Sequence, residues 1–184
     1  MSQPTYSLWL SPEPTSMAFG AINSIIETFA QDPQHPRFLP HMTLYSSVPA
    51  KTDDECISQV QAFSDSIAEK GYGHKTISLS DVSHGSTYFQ CVLGVVKDPF
   101  VFDFHQDAVN YWGEGLYSKP FRPHVSLIYG DLDSNEKAKK EERAKKWLLE
   151  QTHGVSFNAT SIKIVDTGSP NPESWRTIAS VKIK

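Results

Sequence analysis

A chain of 184 residues with 39% apolar and 21% charged side chains can bury about two thirds of the surface that its unfolded form exposes, so a single domain with its own core is expected, without disulfide staples. Seventeen basic against twenty-one acidic residues leave a net charge of −4, which argues against a basic groove tracking a long nucleic acid but leaves room for a small anion held locally. No apolar run approaches the roughly 18 residues needed to span a bilayer, and the first residues lack the basic and apolar regions of a signal peptide, so a soluble intracellular protein, cytoplasmic in the simplest case, is expected. The two cysteines, Cys56 and Cys91, fall in no C-x-x-C spacing and read as buried free thiols.

In chain order, residues 6–10 alternate as a short strand that Pro12 and Pro14 end. A helix follows in which Ile22, Ile25, Ile26 and Phe29 fall at i, i+3, i+4 and i+7, stopped by Asp32-Pro33. Residues 41–47 read as a strand. Asp53 can cap a second helix whose Cys56, Val60, Phe63 and Ile67 share a face. Residues 76–82 and 87–96 look like a hairpin around Ser83-His84-Gly85-Ser86, and residues 99–112 like a helix with Pro in its first turn and glycine at its end.

Residues 124–129 form a further strand. Residues 135–151 read as a helix rich in Lys, Glu and Ala whose Lys137, Lys139, Lys140, Lys145 and Lys146 alternate with acids, as on a solvated face. Two strands at 156–165 and 175–183 finish the chain. Hairpins mixed with helices indicate an α+β fold rather than a doubly wound parallel sheet, and no Gly-rich phosphate loop follows any strand.

Two segments repeat: Pro40-His41-Met42-Thr43-Leu44 and Pro123-His124-Val125-Ser126-Leu127. The short form His-x-Ser/Thr-apolar is cheap, since chance usage predicts about 0.5 copies and His74-Lys75-Thr76-Ile77 is a third; requiring Pro before the His lowers the expectation to about 0.03. On a strand, residues i and i+2 share a face, so each imidazole projects beside its hydroxyl. Two such strands side by side surround a space the size of a phosphate. One neutral imidazole can take a proton from water while a second, protonated, gives one to a departing oxygen; both states are available near neutral pH. Hydroxyls at Thr43 and Ser126 would hold the non-bridging phosphate oxygens. Such a site needs no metal or other cofactor.

These paired segments resemble the signature of the two-histidine (2H) phosphoesterase superfamily. Tyr6-Ser7-Leu8-Trp9, Pro36-Arg37-Phe38-Leu39-Pro40, Phe89-Gln90-Cys91-Val92 and Glu173-Ser174-Trp175 further resemble, in order and spacing, the small cyclic phosphodiesterases of plants and fungi. The resemblance runs nearly end to end. It implies a single bilobal domain over residues 1–184, two antiparallel sheets with outer helices related by a pseudo-two-fold, and an active site in the cleft between lobes. It also implies hydrolysis of ADP-ribose 1″,2″-cyclic phosphate and of nucleoside 2′,3′-cyclic phosphates to 2′-phosphates, downstream of tRNA splicing.

Carried over by position, His41 and His124 are the acid and base pair; the resemblance leaves open which is which, and the division expected here sets His124 as base toward water and His41 as acid toward the leaving oxygen. Thr43 and Ser126 are the phosphate ligands. Trp9, Phe89 and Tyr129 line the cleft, with Tyr88 the alternate to Phe89. The partner expected is a small cyclic phosphate nucleotide bound by a monomer, with no long nucleic acid and no membrane span. His35, His84, His105 and His153 receive no role, since none pair at metal-ligand spacing. Two other readings keep the same site: an RNA-end-processing phosphoesterase acting on oligonucleotides, and a nucleotide-binding protein without catalysis.

Overall fold

A computed structural model describes residues 4–115 and 120–184. Its strands are β1 (Tyr6–Leu10), β2 (Met42–Val48), β3 (Thr76–His84), β4 (Val92–Val96), β5 (His124–Ile128), β6 (Ser156–Asn158), β7 (Ser161–Asp166) and β8 (Arg176–Lys182). Four helices lie between them: α1 (Met17–Phe29), α2 (Asp53–Ser66), α3 (Pro99–Trp112) and α4 (Ser134–Leu149).

Three of the four helices start where a side chain satisfies a free amide, while α3 starts at Pro99, which has no amide N–H to satisfy. Ser16 accepts from the Phe19 amide at α1, and Asp133 accepts from the amides of Asn135 and Glu136 at α4. The cap of α2 is Thr52, which accepts from the Glu55 amide, rather than Asp53; Asp53 is released into the first helical turn and accepts instead from the Tyr6 hydroxyl at 2.8 Å. The apolar stripe read from α1 is buried: Ile22, Ile25, Ile26 and Phe29 all face the core. The lysine-rich α4 buries Ala144 alone among its residues, and its Lys145 pairs with Glu141 one turn away, as a solvated face requires. Both cysteines are buried and free, and burial pushes the Cys56 thiol up to about 12.

All strand pairs are antiparallel, in the order β6-β3-β4-β5-β2-β1-β7-β8. The two four-stranded halves are joined edge to edge at the centre, where β2 and β5 meet through the pair Met42–Val125. Helices α1 and α4 cover the half that contains β5, β4 and β3; α3 and α2 cover the half that contains β2, β7 and β8. Met42 and Val125 are fully buried, so the residues that flank them on each strand face the opposite side of the sheet.

Two strands differ in extent from the sequence reading. Residues 88–90 form a 3-10 turn, and β4 starts only at Val92. The hairpin closes through the Gly85 amide on the Gln90 carbonyl at 2.7 Å, and a Cβ at Gly85 would lie 2.7 Å from that oxygen, so the tight approach requires glycine. The strand expected at 156–165 is broken at residues 159 and 160, where the chain leaves β3 at one edge of the sheet and crosses to β1. Among the described residues no helix is long and apolar enough to cross a membrane.

Candidate active site

The pair Met42–Val125 sets the register that assembles the site. In an antiparallel pair it places His41 across from Ser126 and Thr43 across from His124, so the two motifs meet crosswise on the face opposite the core. All four side chains line one cavity of about 210 Å³. Beyond this pair β2 and β5 separate, which opens the cavity between them.

The two imidazoles are held alike. His41 Nδ1 lies 2.6 Å from the Leu39 carbonyl, and His124 Nδ1 lies 2.6 Å from the Arg122 carbonyl, in each case two residues back. A carbonyl only accepts, so Nδ1 carries the proton in both neutral rings and Nε2 is left with its lone pair. The Tyr129 hydroxyl stands 3.4 Å from His41 Nε2. Ser126 donates to the Phe89 carbonyl at 3.0 Å.

Burial decides the charge of these groups. His41 is 4% exposed, and desolvation pulls its pKa down from 6.5 to about 3; the Leu39 bond opposes this, while the charges of His124 and Lys163 add to it. His124 is shifted the same way, first by desolvation and also by the charge of Arg122, against its bond to the Arg122 carbonyl. Burial pushes the Tyr129 phenol up, so it stays a neutral donor.

Aromatic side chains wall this end of the cavity. Trp9 stacks on His41 with ring centroids 3.5 Å apart and planes 10° from parallel. Phe89 meets Tyr129 edge-on at 5.2 Å, and Phe38 stacks behind Tyr129 at 3.9 Å. The structure therefore brings together on one cavity every site residue read from the sequence: His41, Thr43, His124, Ser126, Trp9, Phe89 and Tyr129. The 3-10 turn separates Phe89 from Tyr88, which lines a second, larger groove that Trp9 and Trp175 also border.

Among the lining residues that sequence reasoning left without a role are Trp175, Arg122, His105 and Phe121. Trp175 packs 5.7 Å from Trp9 and 5.9 Å from Phe89; its segment carried part of the family resemblance, and that was the available signal. Arg122 lines the cavity and its Nη2 donates to Ser83 at 2.9 Å. His105 and Phe121 line the far end, and a single histidine on an amphipathic helix gives no sequence signal. His35, read as a loop residue, is buried with Nδ1 3.2 Å from the Tyr129 carbonyl. His84, in the hairpin as expected, pairs with Glu141 on α4. Among the described residues no group of three His, Cys, Asp or Glu side chains is placed to hold a metal ion.

An antiparallel sheet whose two central strands each present a His-x-hydroxyl pair to a shared cavity is the architecture of a 2H phosphoesterase. The chain belongs to the cyclic phosphodiesterase-like protein family, whose model matches residues 4–183. It is 29% identical over 178 residues to a cyclic phosphodiesterase of Arabidopsis thaliana, covering 95% of this chain and 92% of that one. Among solved structures it resembles Escherichia coli LigT complexed with NADP+, at TM-score 0.57 and 12% identity over 100% of this chain and 99% of that one. It also resembles Kluyveromyces marxianus Usb1, at TM-score 0.54 and 11% identity over 96% and 98%; that protein has also been solved with uridine monophosphate. At such identities these likenesses establish the fold.

Proposed function

We propose that this protein is a metal-independent cyclic phosphodiesterase that opens nucleoside 2′,3′-cyclic phosphates to 2′-phosphates and ADP-ribose 1″,2″-cyclic phosphate to ADP-ribose 1″-phosphate, downstream of tRNA splicing. Family membership supports the hydrolysis of a cyclic phosphate, and the substrates follow from the resemblance to plant and fungal enzymes. The observation that carries the reading is the crosswise pairing of two imidazoles, each with Nδ1 tied to a backbone carbonyl at 2.6 Å, with Thr43 and Ser126 on one cavity.

In this reading the cyclic phosphate sits between the imidazoles with its non-bridging oxygens on Thr43 and Ser126. One imidazole Nε2 takes a proton from water as the water oxygen bonds to phosphorus. The other, as imidazolium, gives its Nε2 proton to the ribose 3′ oxygen as the P–O3′ bond breaks. The depth of burial favours His41 as the neutral base and His124 as the acid, the reverse of the division set from sequence. The Trp9 face against His41 would stabilise an imidazolium there, but a cation–π contact contributes about 0.5–2 kcal/mol, less than the desolvation it opposes.

A cavity of about 210 Å³ suits a phosphate with its ribose better than a polymer, and the net charge of −4 agrees. The experiment is turnover of 2′,3′-cyclic AMP and of the ADP-ribose cyclic phosphate in excess EDTA by the wild-type protein and by His41→Ala and His124→Ala. Turnover that both substitutions abolish supports the proposal; activity retained in either variant overturns it. An oligonucleotide with a 2′,3′-cyclic end, run in parallel, gives the RNA-end-processing alternative its test, since preference for the oligomer would favour it.

A further inference from the structure

A third imidazole faces the same cavity. His105, on α3, has Nδ1 2.7 Å from the Leu44 carbonyl and its ring flat on Phe121, with centroids 3.7 Å apart and planes 8° from parallel. The placement has a structural origin. Because β2 and β5 separate after Met42–Val125, the outer edge of β2 lacks a strand neighbour there, and His105 supplies the donor that the Leu44 carbonyl needs. As with His41 and His124, the proton is fixed on Nδ1 and Nε2 of the neutral ring can only accept. Desolvation lowers the pKa of His105, against its bond to Leu44, which keeps the ring neutral.

His105 stands apart from the reacting centre. Its anchor, Leu44, follows Thr43, so it lies about 3.3 Å further along β2, one residue's rise beyond the hydroxyl that meets the phosphate. A nucleotide has the same layout: its base lies one furanose ring away from its 2′,3′-phosphate. With a phosphate on Thr43 and Ser126, the end of the cavity walled by Tyr45, Phe121 and His105 is open to the base.

Building on the phosphodiesterase reading above, we propose that His105 selects the nucleobase, its Nε2 accepting a hydrogen bond from the exocyclic amino group of adenine or cytosine. At the equivalent position uracil and guanine present a keto oxygen, also an acceptor, which would face the Nε2 lone pair with no proton between them. A neutral hydrogen bond of ordinary strength corresponds to a preference of roughly fivefold for amino over keto bases.

The test measures kcat/KM for the 2′,3′-cyclic phosphates of adenosine, cytidine, uridine and guanosine at pH 7.5, and calorimetric affinities for the four corresponding 2′-monophosphates. Wild type, His105→Phe and His105→Gln are compared. The amino-to-keto ratio should be roughly fivefold in wild type and fall to about one in His105→Phe, which keeps a flat ring but has no acceptor. It should also fall in His105→Gln, whose amide both donates and accepts. A merely structural role would lower all four substrates together and leave the ratio unmoved. A wild-type ratio near one, or a ratio that survives the substitutions, overturns the proposal; if His105→Phe does not fold, wild type and His105→Gln decide. Base-selective binding without turnover overturns the phosphodiesterase reading alone, and no binding of any of the four overturns both.

Discussion

Trp9 lies flat on His41, with ring centroids 3.5 Å apart, so the indole fixes the plane of the imidazole. The arrangement follows from strand register: Trp9 pairs with Thr43 across β1 and β2, which puts the indole beside the residue two before Thr43 on the same face. Trp9→Ala should lower kcat/KM by about two- to tenfold, matching the 0.5–1.5 kcal/mol of an aromatic pair, and Trp9→Phe should recover most of it. Steady-state kinetics on 2′,3′-cyclic AMP checks both; equal losses in the two variants would show that the stack does not act.

The two histidines should each be worth about 10²–10⁴-fold in kcat. With a p-nitrophenyl phosphodiester, whose leaving group departs without a proton, the variant lacking the acid is partly rescued. His124→Ala should regain activity relative to His41→Ala on that substrate, and rescue of His41→Ala instead would reverse the assignment.

In the proposed mechanism the hydroxyls of Thr43 and Ser126 act on the charge that develops at phosphorus. Thr43→Ala and Ser126→Ala should each reduce kcat by about 10²-fold, as loss of a single oxyanion donor does, with smaller effects on KM. A change in KM alone would place them in ground-state binding.

How kcat/KM varies with pH follows from the lowered pKa values of both imidazoles. In the proposed division the base, His41, is neutral down to about pH 3, so the acid limb lies far below neutrality; the acid, His124, loses its proton below its ordinary 6.5, so kcat/KM should already be falling by pH 6.5 and continue to fall as pH rises. Arg122 contributes to lowering His124, and Arg122→Met should move the descending limb to higher pH. A limb that does not move would contradict that electrostatic link. Stability has the opposite dependence and is lost on acidification: between pH 6.5 and 3 the unfolded chain binds a proton that folded His41 refuses. Unfolding free energy should therefore fall by up to about 1.4 kcal/mol per pH unit over that range, and the slope should be shallower in His41→Gln.

Gly115 packs against β2 at the far end of the cavity, where an added Cβ would lie 2.5 Å from the Ser46 carbonyl. Gly115→Ala must displace backbone and should cost about 1–3 kcal/mol in urea denaturation. Unchanged stability would mean that the segment yields freely.

The motif was legible because a strand repeats every two residues: Pro-His-x-hydroxyl written twice already implies two imidazole and hydroxyl pairs on sheet faces. Trp9, Phe89 and Tyr129 were reachable through the family resemblance. The crosswise meeting of the motifs was not legible, since it depends on β2 and β5 touching at Met42–Val125, a contact between residues 83 positions apart. His105 was hidden for the same reason. Its place in the cavity depends on where those strands part, and no helical periodicity encodes that. Thr52 displaced Asp53 as cap because the adjacent Tyr6 hydroxyl gives the carboxylate a better partner. The turn at 88–90 arises from the Gly85–Gln90 closure, where the apolar run alone read as strand.

The most direct test of two-histidine chemistry is the identity of the product formed from 2′,3′-cyclic AMP in excess EDTA, followed by phosphorus NMR. The account predicts 2′-AMP alone, at an undiminished rate. Accumulation of 3′-AMP, or activity that returns only when a divalent metal is added back, would contradict it.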